Sequence, residues 1–145
     1  MKPQSQTELE AWMKENCYNF TSYSVNGNPI SEGLGIDKWG ELFIWYHTER
    51  GERRNLDYFR SEKEVVEYAY DKIISDKWAN AHCVGYTIDK KEITELANIL
   101  EKLEIKYITD EIPYFGPSRP AYRIFVFGCD IHSTMHLRDR FYNMT

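Results

Sequence analysis

The sequence predicts an α+β fold: a mainly antiparallel sheet of about five to six strands with about four helices, in a single domain spanning residues 1–145. Three observations predict it. Apolar residues recur at i, i+3, i+4 spacing in four separate segments. Between Phe20 and Phe59 that period gives way to strand alternation, broken by turn residues. Runs of strands are then followed by helices, the order of α+β proteins and not of a parallel βα repeat. A chain of 145 residues suits one domain. At this size folding buries roughly 70% of the surface, so neither a metal nor a disulfide is needed to hold it.

The first helix is predicted from Thr7 to about Cys17, with Leu9, Trp12 and Met13 on one face and Ser5 or Thr7 as its cap. Phe20 to Val25 is β-branched and aromatic and reads as a strand, and Asn26-Gly-Asn-Pro29 reads as a turn. Leu34 to Lys38 is a short strand, turned at Trp39-Gly40. Glu41 to Thr48 is the strongest strand. Leu42, Ile44 and Tyr46 fall on one side, with Phe43, Trp45 and His47 on the other, so it is expected at the centre of the sheet. After a turn at Glu49 to Glu52, Arg53 to Phe59 returns to complete a meander.

Ser61-Glu-Lys-Glu64 has the form of a capping box and opens a helix to about Trp78, buried through Val65, Val66, Ala69 and Ile73. Ala79 to Ile88 is a connection with a short strand at Val84 to Thr87. Asp89-Lys-Lys-Glu92 opens the next helix, which carries Ile93, Leu96, Ala97, Leu100 and Leu103. Ile105 to Thr109 reads as a strand, Asp110 to Pro120 as a proline-rich loop, and Tyr122 to Phe127 as a second strong strand. Asp130 is placed to cap a last helix to about Tyr142, with Ile131, Met135, Leu137, Arg138 and Phe141 on its inner side.

The formal net charge of −5 disfavours nucleic acid and anionic membrane as partners, since both demand a positive surface. The first ten residues hold no apolar leader, and no apolar run approaches the ~20 residues of a membrane span. The cysteines, Cys17, Cys83 and Cys129, give no disulfide framework by spacing. A cytoplasmic protein is expected.

Few constellations carry chemistry. Cys129, His132 and His136 have zinc-like spacing but no evident fourth ligand, and a buried thiol beside two solvent-facing histidines accounts for them as well. His47 and Glu49 share a strand face, as structural pairs commonly do. Arg50, Arg53 and Arg54 interleave with Glu49, Glu52 and Asp57, the pattern of a mixed charged hairpin and not of a phosphate grip. No P-loop, no CxxC and no nucleophile elbow is present. Neither a cofactor nor catalysis is therefore expected. Binding features are more numerous: Asp110, Glu111, Tyr114 and Phe115 lie in a proline-stiffened segment, and Glu67 and Asp71 lie on the acidic side of the second long helix.

The stretch Leu42 to Gly51 (LFIWYHTERG), with Asn55 to Phe59 (NLDYF), Ser61 to Tyr68 (SEKEVVEY) and Ser118 to Asp130 (SRPAYRIFVFGCD), resembles small bacterial immunity proteins of polymorphic toxin systems, contact-dependent inhibition among them. The resemblance implies a cytosolic protein that binds one cognate toxin domain, often a nuclease, and blocks it. Asp110, Glu111, Tyr114 and Phe115, then Glu67 and Asp71, are the contacts expected on that reading. The alternatives are a small metal-dependent enzyme built on Cys129, His132 and His136, or a regulatory or scaffold domain that binds another protein.

Overall fold

The computed structural model describes residues 2–113, 116 and 118–144. Among these residues the chain forms four helices and seven strands, and the strands divide between two sheets. The α+β class and the mainly antiparallel pairing are those expected. The fold comprises two compact units, Met1–Ala79 and Asn80–Thr145.

In the first unit, α1 (Gln6–Glu15) starts where the Ser5 hydroxyl accepts the Glu8 N–H at 3.1 Å, satisfying one of the orphan donors of a helix start. Three strands then form an antiparallel meander: β2 (Gly33–Trp39), β3 (Leu42–Glu49) and β4 (Glu52–Phe59). Both hairpin turns have two residues. Gly40 takes φ +60° in the first, and Arg50 and Gly51 take φ +52° and +81° in the second. Such positive-φ turns match the right-handed twist of paired strands. β3 is central, and Ile44 and Trp45, on its opposite faces, are both buried. The helix α2 (Glu62–Ser75) opens with the Ser61 hydroxyl accepting the Glu64 N–H at 3.2 Å.

One face of this sheet carries the core. Ile36 and Trp45 pack with Leu9 and Met13 of α1 and with Val65, Val66, Ala69 and Ile73 of α2. Aromatic rings fill the spaces between: Tyr68 meets Trp45 edge-on at 5.9 Å, and Tyr70 meets Trp12 edge-on at 4.8 Å. Much of the chain's high aromatic content is thus internal packing, where each such pair adds about 0.5–1.5 kcal/mol.

In this unit the strand before β2 and the end of α2 depart from the sequence expectation, each for a local reason. Of Phe20 to Val25, only β1 (Tyr23–Ser24) is strand, paired in parallel with β2. The Asn28 side chain takes up the backbone that a longer strand would have used. Its amide donates to the Phe20 and Tyr23 carbonyls at 3.0 and 2.8 Å, and its oxygen accepts the Val25 N–H at 2.7 Å. The helix α2 stops at Ser75, short of Trp78, because the Asp76 carboxylate accepts both the Trp78 N–H at 2.9 Å and the Tyr23 hydroxyl at 2.7 Å. Burial is the largest influence on the Tyr23 phenol and the Asp76 bond the next, and both push its proton affinity up.

In the second unit, β7 (Pro120–Phe127) lies between β5 (Ala81–Thr87) and β6 (Tyr107–Pro113), antiparallel to both. The helices α3 (Lys90–Lys102) and α4 (Asp130–Phe141) supply Ile93, Leu96, Leu100, Leu137 and Phe141 to a core shared with Val84, Ile124 and Val126. Gly85 permits the approach of α3, since a Cβ there would sit 2.4 Å from the Leu96 side chain. On α4 the buried stripe is Thr134, Leu137 and Phe141, while Met135, expected inward, is 44% exposed. β6 runs four residues into the segment expected to be loop. Its Asp110 accepts both Nε and an Nη of Arg123 on β7, at 2.8 and 2.5 Å, a bidentate pair that extends the ladder. As an edge strand β6 tolerates Pro113, and Pro120 is the first residue of β7.

Candidate functional site

The first sheet has a second face. Register places Trp39 opposite Leu42, Asp37 opposite Ile44, and Gly35 opposite Tyr46 on the β2–β3 ladder. On the β3–β4 ladder it places Tyr58 opposite Ile44 and Asn55 opposite Tyr46. Alternation puts these residues on the side away from Ile36 and Trp45, and so away from both helices of the unit. Ile44, only 2% exposed, is the floor of this outer face. Around it Trp39 is 66% exposed, Tyr58 50% and Leu42 36%. Leu56 falls between the paired residues at a β-bulge and is exposed as well.

Polar groups on this face are held in place. The Arg53 guanidinium lies 3.9 Å from the Tyr46 ring centroid and forms an ion pair with Asp37 at 2.8 Å. Tyr46 in turn lies across Gly35, where an added Cβ would approach the phenol oxygen to 2.6 Å. The Asp37 carboxylate is held below its ordinary pKa chiefly by the Lys38 N–H at 2.7 Å; burial opposes this, and the Arg53 hydrogen bond and charge lower it further. A concavity of about 260 Å³ opens here, lined by Asp37, Lys38, Trp39, Ile44, Arg53 and Asn55. Exposed Trp and Tyr beside a stacked Arg are the residue types that anchor protein interfaces.

The tip of the β3–β4 hairpin forms a second, polar concavity of about 490 Å³, lined by His47, Glu49, Arg50, Glu52, Arg53 and Arg54. Arg53 therefore borders both surfaces. His47 stands opposite Arg54 across the ladder, and Glu49 opposite Glu52.

Of the residues singled out in the sequence, Cys129 and His132 come together, their ligand atoms within 4.8 Å of one another; the others are dispersed. Asp110 is engaged by Arg123, whose charged form that pair stabilises. Glu111, next to it, is exposed. Tyr114 and Phe115 lie outside the described residues. Asp71 pairs with Lys2 at 3.0 Å, and Glu67, one turn earlier on α2, is half-buried. Cys129 precedes α4 as its N-cap and makes no side-chain cap bond there, while His132 and His136 lie on exposed positions of that helix. Cys83 is a free thiol, half-buried, and burial raises its pKa, which opposes thiolate chemistry.

In the sequence, Trp39 is passed over as a binding residue, and Arg53 and Tyr58 are weighed only as parts of a phosphate or RNA grip. The available signal was the apolar character of both faces of Leu42 to Thr48, which burial alone seemed to require. The strand β4 reveals the difference: seven of its eight positions are exposed, so the outer face is uncovered. Among the described residues no helix is long and apolar enough to cross a membrane. A scan against protein-family models found no match to this chain, and searches of curated proteins and of solved structures found none.

Proposed function

We propose that this chain is a binding protein of the immunity type, which neutralises a cognate bacterial toxin domain in the cytoplasm by occluding its active site, and that the outer face of the first sheet is the docking surface. The observation that carries the reading is the group Trp39, Leu42 and Tyr58, exposed around a buried Ile44 and bordered by a stacked, ion-paired Arg53. Such a face offers large rigid contact area at small entropic cost. Arg53 and Asp37 neutralise one another, which leaves Lys38 as the remaining charge around the concavity, in a chain where 28% of residues are charged. Depletion of charge around aromatic anchors is the anatomy of an interface centre.

Glu67, on α2, lies on the other side of this sheet and is not part of the docking face, and Glu111 belongs to the second unit. Asp71 and Asp110 are held in internal ion pairs with Lys2 and Arg123 and are not part of it either. The overall negative charge speeds encounter with a basic toxin. The experiment is co-purification with the product of the neighbouring gene, followed by growth rescue of cells expressing that product. A stable complex and rescue are expected. No complex at micromolar concentrations, with unimpaired toxicity, would overturn the proposal.

A further inference from the structure

We infer that the tip of the β3–β4 hairpin is a charge-reading element for the same partner, reached around the β4 edge of the sheet and built to meet an acidic and a basic side chain set side by side; this rests on the docking reading above. Four residues form a block on the Trp45 side of the sheet, opposite the face of Trp39 and Tyr58: His47 opposite Arg54, and Glu49 opposite Glu52. Directly opposed side chains start from Cβ atoms about 4.5–5.5 Å apart. Residues two apart on one strand are roughly 6.6 Å apart. The shortest approach in the block therefore sets acid against acid, and sets Arg54 against a ring that cannot answer its charge. Exchanging the residues at 52 and 54 would have given each a complementary neighbour.

Among the described residues, none of Glu49, Arg50, Glu52 and Arg54 has its charge answered by an ion pair or a side-chain hydrogen bond. Like charges directly opposite destabilise a ladder. Here they are kept on an exposed hairpin whose turn holds non-glycine Arg50 at φ +52°. The same residues line the 490 Å³ concavity, and Arg53 joins it to the aromatic face. An acidic partner group seated between His47 and Arg54, with a basic one between Glu49 and Glu52, satisfies all four. Rim charges of this kind govern the rate of encounter and the choice of partner.

The test is the double variant Arg54→Glu with Glu52→Lys, which leaves net charge unchanged. It brings an acid opposite His47 and a base opposite Glu49. Its Tm is expected to rise by a few degrees, while affinity for the neighbouring gene product falls by about tenfold or more. A lowered Tm would show that the native pairs carry no cost, and an unchanged affinity would show that the tip does not read the partner. Either result overturns the inference. Failure of the unaltered protein to bind that product overturns the docking reading and this one together, and is told apart because it precedes any comparison with the variant.

Discussion

Replacing Trp39 and Tyr58 together by alanine separates a binding face from an incidental one. Trp39 is 66% exposed and Tyr58 50%, and neither is part of the core. Aromatic side chains bury roughly 150–250 Å² each. The exposed share of Trp39 is then about 100–165 Å², and that of Tyr58 about 75–125 Å². At about 25 cal/mol per Å² a partner covering both gains up to about 4–7 kcal/mol, an upper bound before ordering and desolvation costs. A loss of at least about 2 kcal/mol in binding is expected, some thirtyfold in Kd. Stability should fall as well, by up to about 3–5 kcal/mol on the same accounting, since about 50–85 Å² of Trp39 and about 75–125 Å² of Tyr58 already lie against the protein. Titration calorimetry with the neighbouring gene product and urea denaturation of the free variant read the two quantities. Unchanged affinity of the folded variant would refute the reasoning.

Three further outcomes follow from the local structure. Asn28→Ala removes the side chain that satisfies the Phe20 and Tyr23 carbonyls and the Val25 N–H, and should cost about 2–3 kcal/mol in urea denaturation. Gly85→Ala drives a Cβ against the buried Leu96 side chain, which must repack, and a loss of about 1–3 kcal/mol in urea denaturation is expected. Asp37 has a depressed folded pKa, so its stabilisation is present above the ordinary carboxylate value and lost as pH falls below it. Asp37→Asn should therefore lower Tm at pH 7 and converge with the unaltered protein in strong acid, and a constant gap at all pH values would contradict that origin.

The helices were legible because each carries its own start signal and stripe. Ser61 and Asp89 accept N–H groups two or three residues on, and Ile93, Leu96 and Leu100 are buried at the spacing read from the sequence. The central position of β3 was legible too, from apolar residues on both its faces. What the sequence obscured was long-range. Asn28 replaces a strand ladder with side-chain bonds across up to eight residues, and Asp110 finds Arg123 thirteen residues away. No periodicity reports such pairs. Division of the strands between two sheets was equally hidden, because each strand looks locally the same in either arrangement.

The candidate site suffered more. A Trp39 that packs and a Trp39 that waits for a partner obey the same alternation, and only the uncovered state of the β4 side distinguishes them. Acids at 71 and 110 looked available for a partner because their intramolecular partners, Lys2 and Arg123, are remote in sequence.

The most direct measurement is the indole N–H resonance of Trp39 in a nitrogen-15 spectrum, followed as the neighbouring gene product is added. The docking account expects that resonance, with the backbone amides of β3 and β4, to shift or broaden in proportion to complex formed. A saturated complex in which Trp39 and both strands keep their free positions, while signals elsewhere move, would contradict it.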